Sequence, residues 1–196
     1  NRISMQTIYS PSGCYAEGPG YWSYGNIFQA VLLSALESCL GSDSGLSLIE
    51  GFLETASYKQ LTYRPFGNIF NYSDNLDERK PAYALWYFAD RFKDCGLLSD
   101  EHQLLAAGKY EDSSEVRLLP LLMRYALNVT SDHSVVHGTI PQIYVNYGTE
   151  GRYDDTPLVI VRKEESYLGI KGGSPTTNHA HMDGGSFVYD AFGRSW

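Results

Sequence analysis

Two of the five histidines lie two positions apart in the segment Gly172-Gly173-Ser174-Pro175-Thr176-Thr177-Asn178-His179-Ala180-His181-Met182-Asp183-Gly184-Gly185-Ser186. In an extended stretch His179, His181 and Asp183 project to one side. Imidazole and carboxylate together suit a divalent transition metal, and imidazole alone can carry protons near neutral pH. The plainer alternative is a polar loop whose histidines satisfy backbone groups. A second segment, Gly13-Cys14-Tyr15-Ala16-Glu17-Gly18-Pro19-Gly20-Tyr21-Trp22-Ser23-Tyr24-Gly25, reads as a tight glycine- and proline-held loop. It displays three phenols, an indole and one carboxylate, and a phenol in reach of an imidazole can remove or deliver a proton. Here the plainer alternative is an aromatic plug at a helix start, capped by Ser23 or Asn26.

In this order and separated by helices, the strings Tyr-Ala-Glu-Gly-Pro-Gly-Tyr-Trp-Ser-Tyr-Gly (15–25) and Asn-His-Ala-His-Met-Asp-Gly-Gly-Ser-Phe (178–187) resemble the heparinase II/III-type polysaccharide lyases. The likeness is greater to the heparinase II branch than to the alginate-lyase relatives, which carry a different aromatic pattern after Glu-Gly-Pro. The resemblance implies an α+β chain: the C-terminal part of an (α/α) toroid over residues 1–134, then the first strands of an antiparallel β-sandwich over 135–196. It implies β-elimination at a hexuronic acid in a glycosaminoglycan, with heparin or heparan sulfate as the first substrate. Such elimination needs the C6 carboxylate neutralised, the C5 proton removed and the leaving O4 protonated.

Carried over by position, the resemblance makes Tyr21 the catalytic phenol, with Tyr24 the alternative, and His179 the catalytic imidazole. It makes His181 a ligand to a structural zinc, and Glu17, Trp22, Tyr24 and Asn178 residues that line the substrate, with Asp183 in support. It puts the carboxylate-neutralising group ahead of Asn1 and the other zinc ligands beyond Trp196, so that this stretch alone would be inactive. The expected setting is periplasmic or secreted and bacterial, the partner an acidic polysaccharide, and a homodimer is compatible with it. Two other readings stay open: a lyase of alginate or another bacterial uronan, and a carbohydrate-binding module without chemistry. Tyr21 and His179 favour an enzyme, since a binding module has no need of a proton-transfer pair.

The elements that would position these residues follow from periodicity. Phe28, Val31, Leu32, Ala35, Leu36, Cys39 and Leu40 predict one face of a helix that Gly41 stops, with Cys39 a buried thiol, although the opposite face is also small or apolar. Ile49, Phe52, Leu53 and Ala56 predict a second helix. Pro81 predicts the start of a third that ends by Gly96, Ser99 caps a fourth through Leu105, and Val116–Leu127 is a fifth that Pro120 either starts or kinks. The long stretch Arg64 to Arg79, rich in Gly, Asn, Asp and aromatics, reads as a functional loop. Strands are expected at Leu158–Val161, Tyr167–Lys171 and Phe187–Tyr189.

Composition narrows the field. With 15 Lys+Arg against 23 Asp+Glu the net charge is −8, with 10 basic and 16 acidic residues in 1–134 and 5 against 7 afterwards. That excludes a basic stripe for nucleic acid, and no run of about 18 apolar residues exists to span a membrane. An acidic enzyme for a polyanion would need a local cationic patch, for which Arg64, Arg79, Lys80 and Lys171 are the candidates, solvated surface charge being the alternative. Three cysteines without metal-type spacing leave the redox compartment open.

Overall fold

Along Ser166–Lys171 the chain buries Tyr167, Gly169 and Lys171 and leaves Leu168 and Ile170 partly open, the period-two pattern of a sheet covered on one face. This computed structural model describes residues 2–111, 113–114, 116–127, 142–148, 156–176 and 178–196. The fold is α+β. Its helices are α1 (Arg2–Tyr9), α2 (Gly18–Leu40), α3 (Thr55–Leu61), α4 (Ala84–Phe92), α5 (Ser99–Ala106) and α6 (Leu119–Ala126). Its strands are β1 (Ile143–Asn146), β2 (Leu158–Lys163), β3 (Ser166–Lys171), β4 (Phe187–Ala191) and β5 (Arg194–Ser195), an antiparallel sheet paired in sequence order.

Contacts group the chain into two units. One comprises Asn1–Trp22, Leu48–Arg79 and Ile140–Trp196, the other Ser23–Ser47 and Lys80–Thr139. The expected boundary at 134/135 lies outside the described residues.

In the first unit the covered face of the sheet packs on α3 and the loop after it. The Tyr167 hydroxyl donates to the Leu61 carbonyl at 2.9 Å, and Arg162 donates to the Gln60 carbonyl at 3.1 Å. At Gly169 the backbone lies so close to the Phe70 ring that a Cβ would stand 2.7 Å from it. Beneath lies a core of aromatics, in which the Tyr58 and Tyr72 hydroxyls meet each other and both approach the Tyr15 carbonyl, at 3.4 and 3.1 Å. The tyrosine-rich composition is therefore largely a matter of core phenols with satisfied hydroxyls. The other face is apolar and partly open. Val145, Val159, Ile170 and Phe187 form one cross-strand row, and Ile143, Val161, Leu168 and Tyr189 the next.

The second unit is helical. In α4, Leu85, Trp86, Phe88 and Ala89 are buried, and the buried Glu101 carboxylate accepts the Ala82 N–H at 3.0 Å and the Tyr110 hydroxyl. Arg91 reaches Glu37, Asp43 and Ser47, tying α4 to the end of α2 and the turn after it.

Several boundaries differ from the periodicity. Helix α2 begins at Gly18, so 18–25 is helix rather than loop; Gly18 makes the turn at φ +91, and Pro19 has the fixed φ of a first turn. The stripe that α2 buries is Trp22, Asn26, Ile27, Ala30, Leu33 and Ser34, while Phe28 is 43% exposed, Leu40 71%, and Cys39 is exposed rather than buried. A helix apolar on both sides carries no sequence signal for which side packs. The second predicted helix forms later, as α3, and α4 starts at Ala84 rather than Pro81, ending at Lys93 in a left-handed cap. Helix α6 starts at Leu119, so Pro120 lies in its first turn. Helix α1, strand β1 and strand β5 are additional to the expected elements, β5 being turned back by Phe192 (φ 55) and Gly193 (φ 77), the pair of positive φ angles of a type I′ hairpin.

The loop after α3 is joined to the sheet by Arg64. This guanidinium, 5% exposed, holds the fully buried Asp190 on β4 through Nε at 2.8 Å and through a second nitrogen, and also donates to Asp77 at 3.0 Å and Ser195 at 2.9 Å. Burial acts to raise the Asp190 carboxyl, but the hydrogen bonds from Arg64 and Ser195 and the Arg64 charge outweigh it and hold it below the ordinary carboxylate range. Asp190→Ala removes the buried carboxylate and leaves the guanidinium only the half-exposed Asp77 as a charged partner, which should cost about 3–5 kcal/mol in urea unfolding. A carboxyl depressed in the folded state contributes stability that is present above its unfolded pKa, about 4, and lost as pH falls through the folded value. The wild type should therefore lose stability on acidification below about pH 4, and the variant should show a smaller loss over the same range.

Candidate functional site

Tyr21 stands in the first turn of α2, and its ring stacks on the His179 imidazole with centroids 3.8 Å apart and planes 24° from parallel. The two motifs thus meet inside the first unit. Just ahead of the helix, Glu17 accepts a hydrogen bond from the Asn178 amide at 2.8 Å. The long loop after α3 supplies a residue that the sequence reading did not single out. Asp74 places Oδ2 3.0 Å from His179 Nδ1 and Oδ1 2.6 Å from His181 Nε2. Hydrogen bonds from His179 and then His181 hold the Asp74 carboxyl below its ordinary range.

Asp183 closes the same segment from the other side. It pairs with Lys171 Nζ and accepts the Ser73 N–H at 3.2 Å. Burial acts to raise the Asp183 carboxyl, and the Lys171 ammonium and Ser73 N–H more than reverse it. Residues 178–183 are therefore held at Glu17, at Asp74 and at the Ser73–Lys171 pair. These contacts sustain a left-handed backbone at His179 (φ 58) and at Ser73 (φ 56), a conformation that costs a residue other than glycine about 1–2 kcal/mol.

The other expected site residues fall elsewhere. Trp22 is fully buried and its indole N–H donates to Thr55 Oγ1 at 2.8 Å, so it lies on the inner face of α2 and offers no face to a ligand. Tyr24, 55% exposed, belongs to the second unit and meets Phe28 edge-on at 5.1 Å; Tyr21 is the phenol brought to His179. Two members of the expected cationic patch are interior. Arg64 is the partner of Asp190, and Lys171, 1% exposed, is the partner of Asp183. Arg79 lies over the Tyr63 ring at 4.4 Å and donates to the Arg64 carbonyl at 2.7 Å, while Lys80 is exposed in the second unit.

Among the described residues no three His, Cys, Asp or Glu side chains form a group that could hold a metal ion. His179, Asp74 and His181 meet by hydrogen bonds instead, so the residues present do not make a complete zinc site. What the cluster offers is a phenol and an imidazole in contact, with the His179 side chain 30% exposed and able to meet a ligand from solvent. Compared with protein-family models and with curated proteins, the sequence matches none.

The anchoring role of Asp183 is open to measurement. Asp183→Ala should destabilise the protein by about 3–5 kcal/mol, because Lys171 keeps a buried charge without its partner. Adding Lys171→Met should recover much of that loss in urea unfolding. Equal stability of the single and double variants would show that the pair does not carry the segment.

Proposed function

We propose that Tyr21 and His179 are the proton-transfer pair of a polysaccharide lyase that cleaves a uronic-acid glycosaminoglycan, of heparin or heparan sulfate type, by β-elimination. The observation that supports this reading is the ring stack itself, a phenol and an imidazole brought together from opposite ends of the chain and held by carboxylates at Glu17 and Asp74. In the reaction the C5–H and C4–O4 bonds break and a C4–C5 double bond forms. The pair divides two tasks, accepting the C5 proton and delivering a proton to the departing O4, each within the range of phenol and imidazole chemistry. Charge that builds on the C6 carboxylate is met by a further group outside the pair.

On this reading the helices are the last part of an (α/α) toroid and the sheet the first layer of a β-sandwich. Support comes from two apolar surfaces left open: the outer sheet rows, and the α2 face carrying Phe28, Leu32 and Leu40. A sandwich and a toroid would each cover such a face. The proposed setting is periplasmic or secreted; among the described residues no helix is long and apolar enough to cross a membrane. Zinc enters through His181, the ligand that the resemblance carries over.

A second reading has its own support. The net charge of −8 and the interior placement of Arg64 and Lys171 favour a less sulfated polymer, alginate or another uronan, over heparin.

Incubated with heparin, heparan sulfate, alginate and other uronans, the protein with its carboxylate-neutralising group present should release an unsaturated uronate, seen as growing ultraviolet absorbance. Tyr21→Phe, which removes one hydroxyl and little volume, should lower turnover by about 10²- to 10⁴-fold with the fold intact. Binding of a uronan without any absorbance growth in the wild type would replace the lyase by a binding module. The two histidines should fail differently: His179→Ala should lower the rate with metal content unchanged, and His181→Ala should lower zinc content and the melting temperature. Equal zinc loss in both would place both histidines on the metal.

A further inference from the structure

Asp74 is an ionised carboxylate facing two imidazoles, and such a carboxylate is an acceptor only. Each nitrogen that faces it must therefore carry a proton: Nδ1 of His179, 3.0 Å from Oδ2, and Nε2 of His181, 2.6 Å from Oδ1. In the neutral rings one carboxylate thus selects opposite tautomers in two histidines two residues apart. We propose that Asp74 is a positioning residue for His179, holding it in the tautomer that leaves Nε2 bare, and that Nε2 is the atom that exchanges a proton with the substrate. The second half of this statement rests on the lyase reading; the first half does not.

Three constraints converge on the His179 ring. The Tyr21 stack sets its plane, Asp74 sets its rotation within that plane, and the left-handed backbone at residue 179 is braced on both sides, by Asn178 on Glu17 and by Asp183 on Lys171 and Ser73. Without the acceptor, a neutral imidazole is free to move its proton to Nε2 and to rotate about its last torsion. A base with its lone pair on the wrong nitrogen cannot take the proton in front of it, the logic by which a carboxylate orients a histidine in acid–base triads. Asp74 is itself 44% exposed, so its substitution removes this control without opening a core.

The experiment uses the intact protein labelled with ¹⁵N at the imidazoles, alongside kinetics on whichever uronan it cleaves. In its neutral form the wild-type His179 should carry its proton on Nδ1 and leave Nε2 bare. Asp74→Asn, which offers an amide donor in place of one carboxylate oxygen, should abolish that preference and lower kcat by about 10²- to 10⁴-fold, with KM little changed. Asp74→Glu should restore part of both the tautomer and the rate. A wild-type His179 with its proton on Nε2, or an Asp74→Asn enzyme with wild-type kcat, would overturn the proposal. A wild type that shows the expected tautomer but cleaves no uronan would remove the lyase and leave the Asp74–His179 pairing standing.

Discussion

The buried pairing of Arg64 with Asp190 is the constraint on which the rest of the first unit depends. Arg64 opens the loop that carries Asp74, and Asp190 lies on the strand that follows the histidine segment. A guanidinium gripping a carboxylate through two nitrogens permits one relative placement of loop and strand, because a slip would leave both charges in low dielectric unpaired. With loop and strand so joined, the Asp74 carboxylate and the imidazoles face each other as a consequence rather than by a separate device. The Lys171–Asp183 pair repeats the principle at the other end of the segment.

This arrangement changes how the acidic composition is understood. The cations nearest the site serve inward. Arg64 and Lys171 neutralise interior carboxylates, and Lys59, 2% exposed, donates to the Pro19 carbonyl at the start of α2 and lies over the rings of Trp22 and Tyr63. Attraction of a polyanion then falls to a small local field, since the whole-molecule charge repels it. On the proposed lyase reading, selectivity among uronans would be set by hydrogen bonding and ring contact more than by charge density.

The α+β class and the strands β2, β3 and β4 were legible in the sequence, because alternation and bounding turns are local signals. The face of α2 was not. Phe28, Leu32 and Leu40 carry the stronger apolar period, yet the buried stripe includes Asn26 and Ser34, the latter bonded to the Ala30 carbonyl and the Tyr125 hydroxyl. Within the site, Tyr21, His179, Glu17 and Asn178 were named from their two motifs, and the structure brings these four together. Trp22 was named with them but lies beneath, since helical spacing turns the residue after Tyr21 toward the core. Asp74 had no motif to announce it. The only signal was the length and aromatic content of its loop, and a carboxylate that acts on a histidine 105 residues away leaves no trace in local spacing.

That separation bears on how the molecule reaches its folded state. The contacts that define the cluster join residues 105, 107 and 161 positions apart, and the guanidinium–carboxylate joint spans 126. Closing loops of that size costs chain entropy before any contact repays it, so topologies of this kind fold slowly compared with helical bundles of local contacts. The second unit also depends on distant contacts, Arg91 with Glu37 54 positions away and Ser34 with Tyr125 91 positions away. The pairing of Tyr21 with His179 therefore waits on the closure of long loops, whereas a single helical turn needs only neighbours four residues away.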